Sequence, residues 1–180
     1  MKATRLLLAA MVLGTAAGAS QANAQCSGQN SCSSPAHTAS VSVGNLVKLG
    51  MPSSSTTLTS PSADDIDAGN LVGPDAGPVL SIKANRSWTL KIKSGNATNW
   101  TFVGTGAGVK PISDLQWALG SGGTFAAITN GDVTFTSGGT STNGASAQPY
   151  FKTQWTADFT SASNLPGTYS LPIIFTLSAP

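Results

Sequence analysis

The chain has 180 residues with nine Lys and Arg, seven acidic residues, one His, two Cys and 20 Gly. All seven acids are Asp, and a net charge of +2 provides little field to steer the chain toward nucleic acid or anionic lipid. The lone histidine, His37, leaves no Ser/His/Asp or Cys/His set outside one polar segment, which argues against an enzyme.

Lys2 and Arg5 precede an apolar run over residues 6–13. Small residues then lead to Ala22-Asn23-Ala24. This is the pattern of a secretory signal with an A-x-A cleavage site, and the run is shorter than the roughly 20 residues a membrane helix needs. Residues 1–24 are therefore expected to act as a signal peptide. The product would be secreted, periplasmic or at the cell surface, with no membrane span left after cleavage. Removing them leaves seven basic residues against seven Asp, a formal charge of zero.

Residues 25–40 read as a flexible polar arm. Cys26 and Cys32 are close enough in sequence to close a small disulfide ring in an oxidising compartment. So short a loop contributes on the order of 2 kcal/mol at most, as a clasp on the arm.

From Val41 the pattern turns to period two, as Val41 and Val43 alternate with Ser42 and Gly44, which predicts a half-buried strand. Residues 52–77 read as a long loop, with short edge strands near 57–59 and 70–72. Within it Asp64, Asp65 and Asp67, with Asn70 and Asp75 beyond, place oxygen donors on one loop that can coordinate calcium, although the spacing is not that of an EF-hand. The alternative is a set of solvated turn carboxylates.

Leu80, Ile82 and Ala84, then Asn85-Arg86, then Trp88, Leu90 and Ile92 predict a hairpin with lysines on its wet face. Trp100 and Phe102 repeat the alternation, and Leu115, Trp117 and Leu119 follow. Asn130-Gly131 between residues 125–128 and 133–135 predicts a second hairpin. Residues 138–147 read as a Gly/Ser-rich loop, and Phe151, Thr153 and Trp155 as another strand. Tyr169, Leu171, Ile173, Phe175 and Leu177 form one face of a long final strand, with Pro172 on the other parity, as at an edge or bulge.

No sustained helical period appears after the leader. The expectation is an all-β domain over residues 41–180, an antiparallel immunoglobulin-like β-sandwich of about seven to nine strands. Trp88, Trp117 and Trp155 share parity with core residues. Trp100, Tyr150 and Trp155 are the candidates for stacking on sugar rings if the chain is a carbohydrate-binding module.

Trp88-Thr89-Leu90, together with Tyr169, Phe175-Thr176-Leu177 and Pro180, resembles the WxL family of bacterial surface domains, with Phe175 where that family has its second Trp. Trp117-Ala118-Leu119 supplies another Trp-x-Leu. The resemblance implies non-covalent attachment to the cell wall. The function expected is a structural or interaction protein of the envelope or extracellular space, without catalysis or cofactor. Its partners would be a cell-wall or extracellular polymer or other surface proteins. A fimbrial-type subunit is the rival: strand exchange needs an N-terminal segment with alternating apolar residues, which the polar arm lacks unless residues 41–49 are exchanged.

Overall fold

The computed structural model describes residues 38–139 and 142–180. The chain divides into two units, Met1–Ser42 and Val43–Pro180. Of the first, residues 38–42 are described; they are exposed and belong to no helix or strand. Cys26, Cys32, His37 and residues 1–24, the expected signal peptide, lie outside the described residues.

The second unit is all antiparallel β apart from two short helical turns. Its strands are β1 (Val47–Gly50), β2 (Leu71–Ala76), β3 (Leu80–Ala84), β4 (Trp88–Ser94), β5 (Thr101–Gly104), β6 (Leu115–Leu119), β7 (Ala126–Ala127), β8 (Val133–Gly138), β9 (Thr142–Ala147), β10 (Pro149–Gln154), β11 (Gly167–Ser170) and β12 (Ile173–Ser178). They form sheets in the orders β1-β3-β9, β2-β10-β6-β7, β11-β5 and β12-β4-β8. Among the described residues there are twelve strands against the expected seven to nine, because short pieces such as the two-residue β7 count beside the longer strands and the final run is split into β11 and β12.

All four sheets turn one face to a single core, so the fold is a β-sandwich. Leu80, Ile82, Leu90, Ile92, Leu115, Ile128 and Phe151 are at most 1% exposed within it. Strict alternation produces this: β3 is buried at Leu80, Ile82 and Ala84, and β4 at Trp88, Leu90, Ile92 and Ser94. The aromatic rings of Trp117, Phe135 and Phe175 meet in sequence at 5.4 and 5.9 Å and tie β6, β8 and β12 together across the core. On the wet face, Lys91 and Lys93 approach Asp132 at 3.9 and 3.2 Å.

Several sequence expectations are corrected. The strand expected from Val41 starts at Val47, and Val41 and Val43 are 89% and 71% exposed. β3 and β4 are both strands but not a hairpin: β3 pairs with β1 and β9, and β4 with β12 and β8. The Asn85-Arg86 link is instead a corner between sheets. Likewise β7 pairs with β6 and β8 with β4, so Asn130-Gly131 does not close a hairpin. In both cases the apolar stripes find better burial across the core than side by side, a tertiary preference that local turn chemistry cannot report.

The Gly/Ser-rich residues 138–147 are not all loop, because β9 completes the edge beside β3. Gly138 is required by close approach, since a Cβ there would overlap the Trp88 indole. Between β1 and β2 the long loop contains a helix, α1 (Ala63–Ala68). It is nucleated by a capping box: the Asp65 amide donates to Ser62 Oγ at 3.2 Å, and the Ser62 amide donates to Asp65 Oδ2 at 2.9 Å. Gly69, at φ +62°, ends it in the left-handed conformation that glycine adopts without a Cβ penalty.

Candidate functional site

The final apolar face carries the most informative departure from a closed sandwich. Tyr169, Leu171, Ile173, Phe175 and Leu177 point toward the core as their parity requires, yet all remain half-buried. The run bends at Leu171 and Pro172, so β11 pairs with β5 while β12 pairs with β4. The Gly95 amide holds the bend by donating to the Pro172 carbonyl at 2.8 Å. Among the described residues β12 is then an edge strand, hydrogen-bonded to β4 and to no strand on its other side, although β1 comes near it.

Beside that edge lies a groove of about 850 Å³. One wall is the half-buried face Tyr169, Leu171, Ile173 and Phe175, and the other is residues 51–61 with Leu58. Trp100, Leu115, Phe151 and Trp155 form part of its lining. Residues 51–61 follow β1 away from its pairing with β3 and are tethered near β2, where the Thr59 amide and hydroxyl donate to Asp75 at 2.8 and 2.6 Å. The two walls are thus anchored to different sheets, and among the described residues no strand bridges them.

Among the described residues, one charged group lines the groove, and it is already paired. Lys110 has a side-chain exposure of 0% and donates to Asp114 Oδ2 at 3.0 Å and to the Gln154 carbonyl at 2.6 Å. Its Nζ also lies 4.0 Å from the centre of the Trp155 ring. Burial pushes the Lys110 ammonium below the usual lysine range, and the Asp114 carboxylate opposes that shift. The groove therefore offers apolar surface and an open strand edge, with no free charge for an ionic ligand.

Tyr169 packs on Phe102 at 4.8 Å and meets the Trp155 ring edge-on at 6.3 Å. Its hydroxyl donates to the Leu165 carbonyl at 3.1 Å, and burial raises its pKa above the ordinary phenol value. These contacts set the end of the groove nearest residues 165–169.

The three sugar-stacking candidates do not form one exposed row. Trp100 is 8% exposed, and its Nε1 donates to the Pro111 carbonyl at 3.0 Å. Tyr150 is half-buried on the face of β10 opposite Phe151 and Thr153. Trp155, also half-buried, lines the groove.

The three calcium candidates sit on α1. Asp65 is engaged in the capping box and also accepts from the Asn70 side chain at 3.5 Å, while Asp64 and Asp67 are exposed. Hydrogen bonds from Ser62, first its side chain, hold the Asp65 carboxyl below the usual carboxylate range. Among the described residues no three His, Cys, Asp or Glu side chains are gathered into one site.

Trp88-Thr89-Leu90 and Phe175-Thr176-Leu177, the two halves of the resemblance noted in the sequence, lie on neighbouring strands with Leu90 opposite Leu177. Sequence reasoning missed Lys110 and the groove wall at residues 51–61. The spacing of Lys110 and Asp114 was the available signal for the first.

No family model matches the chain, and no curated protein matches it. Among solved structures it is similar to one of a chaperone-usher pilus, at 10% identity and a TM-score of 0.47, over 82% of this chain and 99% of that one. No helix among the described residues is long and apolar enough to cross a membrane.

Proposed function

We infer that this chain is a non-catalytic, fimbrial-type structural subunit of the cell surface, whose groove accepts an extended apolar strand from another copy of itself. The observation that carries the reading is the half-buried alternating face of β11 and β12 beside an unpaired edge. A finished sandwich buries such a face and pairs or blunts such an edge, because an open apolar edge invites strand addition. An added strand supplies both the missing ladder hydrogen bonds and the missing side chains.

The occupant that fits is the segment around Val41 and Val43. These valines alternate with Ser42 and Gly44, are largely exposed, and belong to no strand. Residues 38–46 contain no charged side chain, matching a groove in which Lys110, the charged lining residue among those described, is internally paired. The polar arm ahead of residue 41 is not needed for this role.

The test is the assembly state of the full chain. Wild-type protein should form multimers that persist in detergent without heating. Ile173→Asp, which places a charge on the groove wall, and Val41→Asp with Val43→Asp, which charges the donor, should each leave monomers. Multimers that survive both changes would refute the reading.

A further inference from the structure

The segment that carries Val41 and Val43 is covalently joined to a domain with a groove of its own, so it has two competing destinations. Resting on the strand-accepting reading above, we propose that Asn85 is a positioning residue that commits this segment to a neighbouring copy by preventing it from turning back.

The bonds around Asn85 extend the β1–β3 ladder beyond its last strand pair. Val47 stands opposite Ala84. One step further, the Leu46 amide donates to Asn85 Oδ1 at 2.8 Å, and the Asn85 amide donates to the Leu46 carbonyl at 3.2 Å. Asn85 Nδ2 then reaches two residues back and donates to the Gly44 carbonyl at 2.8 Å. The side-chain amide thus stands in for a strand neighbour over residues 44–46. Arg86 Nη1 donates to Asn45 Oδ1 at 3.2 Å, and Asn45 Nδ2 donates to the Pro180 carbonyl at 2.7 Å, tying the same residues to the chain end after β12.

What these bonds oppose is legible in the sequence. Val43-Gly44-Asn45-Leu46 places Gly-Asn between two apolar residues, one of the favoured two-residue hairpin turns. Such a turn needs Gly44 at positive φ, and Gly44 is not among the glycines that adopt it. Nothing lies within 4 Å of a Cβ built there, so crowding is not what keeps Gly44 out of the turn. The bonds from Asn85 to Leu46 and Gly44 are what oppose it. If they are lost, a turn at Gly44-Asn45 would lay residues 38–43 antiparallel to β1 on its unpaired side. Among the described residues β1 pairs with β3 alone, and the Asn45 bond to the Pro180 carbonyl sets its start beside the end of β12, whose Ile173 and Phe175 line the chain's own groove.

The corner between β3 and β4 acquires a purpose in this account. Asn85-Arg86 looks like a hairpin turn in the sequence, but its side chains are spent on residues 44–46.

The experiment uses full-length protein with a photo-crosslinking residue at position 43, in wild type, Asn85→Ala and Asn85→Asp. Asn85→Asp keeps the acceptor for Leu46 and loses the donor to Gly44, so it is the milder change should the alanine variant fold poorly. Wild type should crosslink to groove residues of another copy. Both variants should shift the ratio of intramolecular to intermolecular crosslinks at least tenfold toward intramolecular. Adding Gly44→Val, which disfavours the turn without a clash, should restore intermolecular crosslinks. An unchanged ratio in both variants, with crosslinks still mapping to the groove, would overturn the role of Asn85 and leave the groove reading intact. Crosslinks that never map to the groove in any variant would overturn both.

Discussion

The Lys110 ammonium lies 4.0 Å from the centre of the Trp155 ring while it donates to Asp114 at 3.0 Å, so a buried ion pair supports one side of the groove. Removing Asp114 leaves the buried ammonium without its counter-charge, with the Gln154 carbonyl and the Trp155 ring still beside it, and breaking a buried pair typically costs about 3–5 kcal/mol. Asp114→Ala should therefore destabilise the fold by that amount in chemical denaturation. Lys110→Met combined with Asp114→Leu should cost clearly less than Asp114→Ala alone.

The same lysine sets a pH dependence whose sign is fixed by its lowered pKa. The unfolded chain holds this proton more tightly than the folded one, so stability rises with pH where the unfolded state binds more protons. The window runs from the lowered folded value up to the ordinary 10.5. Unfolding free energy measured across that window should rise for wild type relative to Lys110→Met. A difference that falls as pH rises would refute the assignment.

Trp100 distinguishes core from sugar platform. It is buried and its indole N–H is bonded to Pro111, so Trp100→Ala should cost about 3–5 kcal/mol of stability as a large-to-small core change. If the chain were a carbohydrate-binding module using this ring, the variant would keep its stability and lose retention on glycans. Calorimetric melting beside a glycan array separates these outcomes.

Gly138 is pinned by Trp88 on the neighbouring strand, where the two residues are register partners. Gly138→Ala should cost about 1–3 kcal/mol through overpacking. Gly139→Ala, with open space at its Cβ, should change stability by less than about 0.5 kcal/mol, the usual range for surface substitutions.

Much of the fold is legible in the alternation itself. The strands β3, β4, β6, β10 and β12 follow from residues of one parity, and the lysines of β4 mark its wet face. Partner choice is not legible there. Asn85-Arg86 and Asn130-Gly131 carry hairpin chemistry, but the flanking strands pair elsewhere because each gains more by facing the common core. The groove is hidden for a related reason. Tyr169, Leu171, Ile173, Phe175 and Leu177 announce a face that needs covering, and only the sheet order reveals that, among the described residues, no strand completes its cover. Ser62 and Asp65 carry the capping-box signal of a helix start, and the same aspartates also match oxygen-donor chemistry, so the local pattern alone does not separate the two.

Strand capture at β12 is most directly tested by amide hydrogen exchange on the full chain carrying Val41→Asp and Val43→Asp, with and without a peptide of residues 38–46 in wild-type sequence. With the peptide bound, those β12 amides that make no bond to β4 should become protected, while amides of β9 at the opposite edge stay unchanged. Equal exchange at β12 with and without saturating peptide would contradict the proposal.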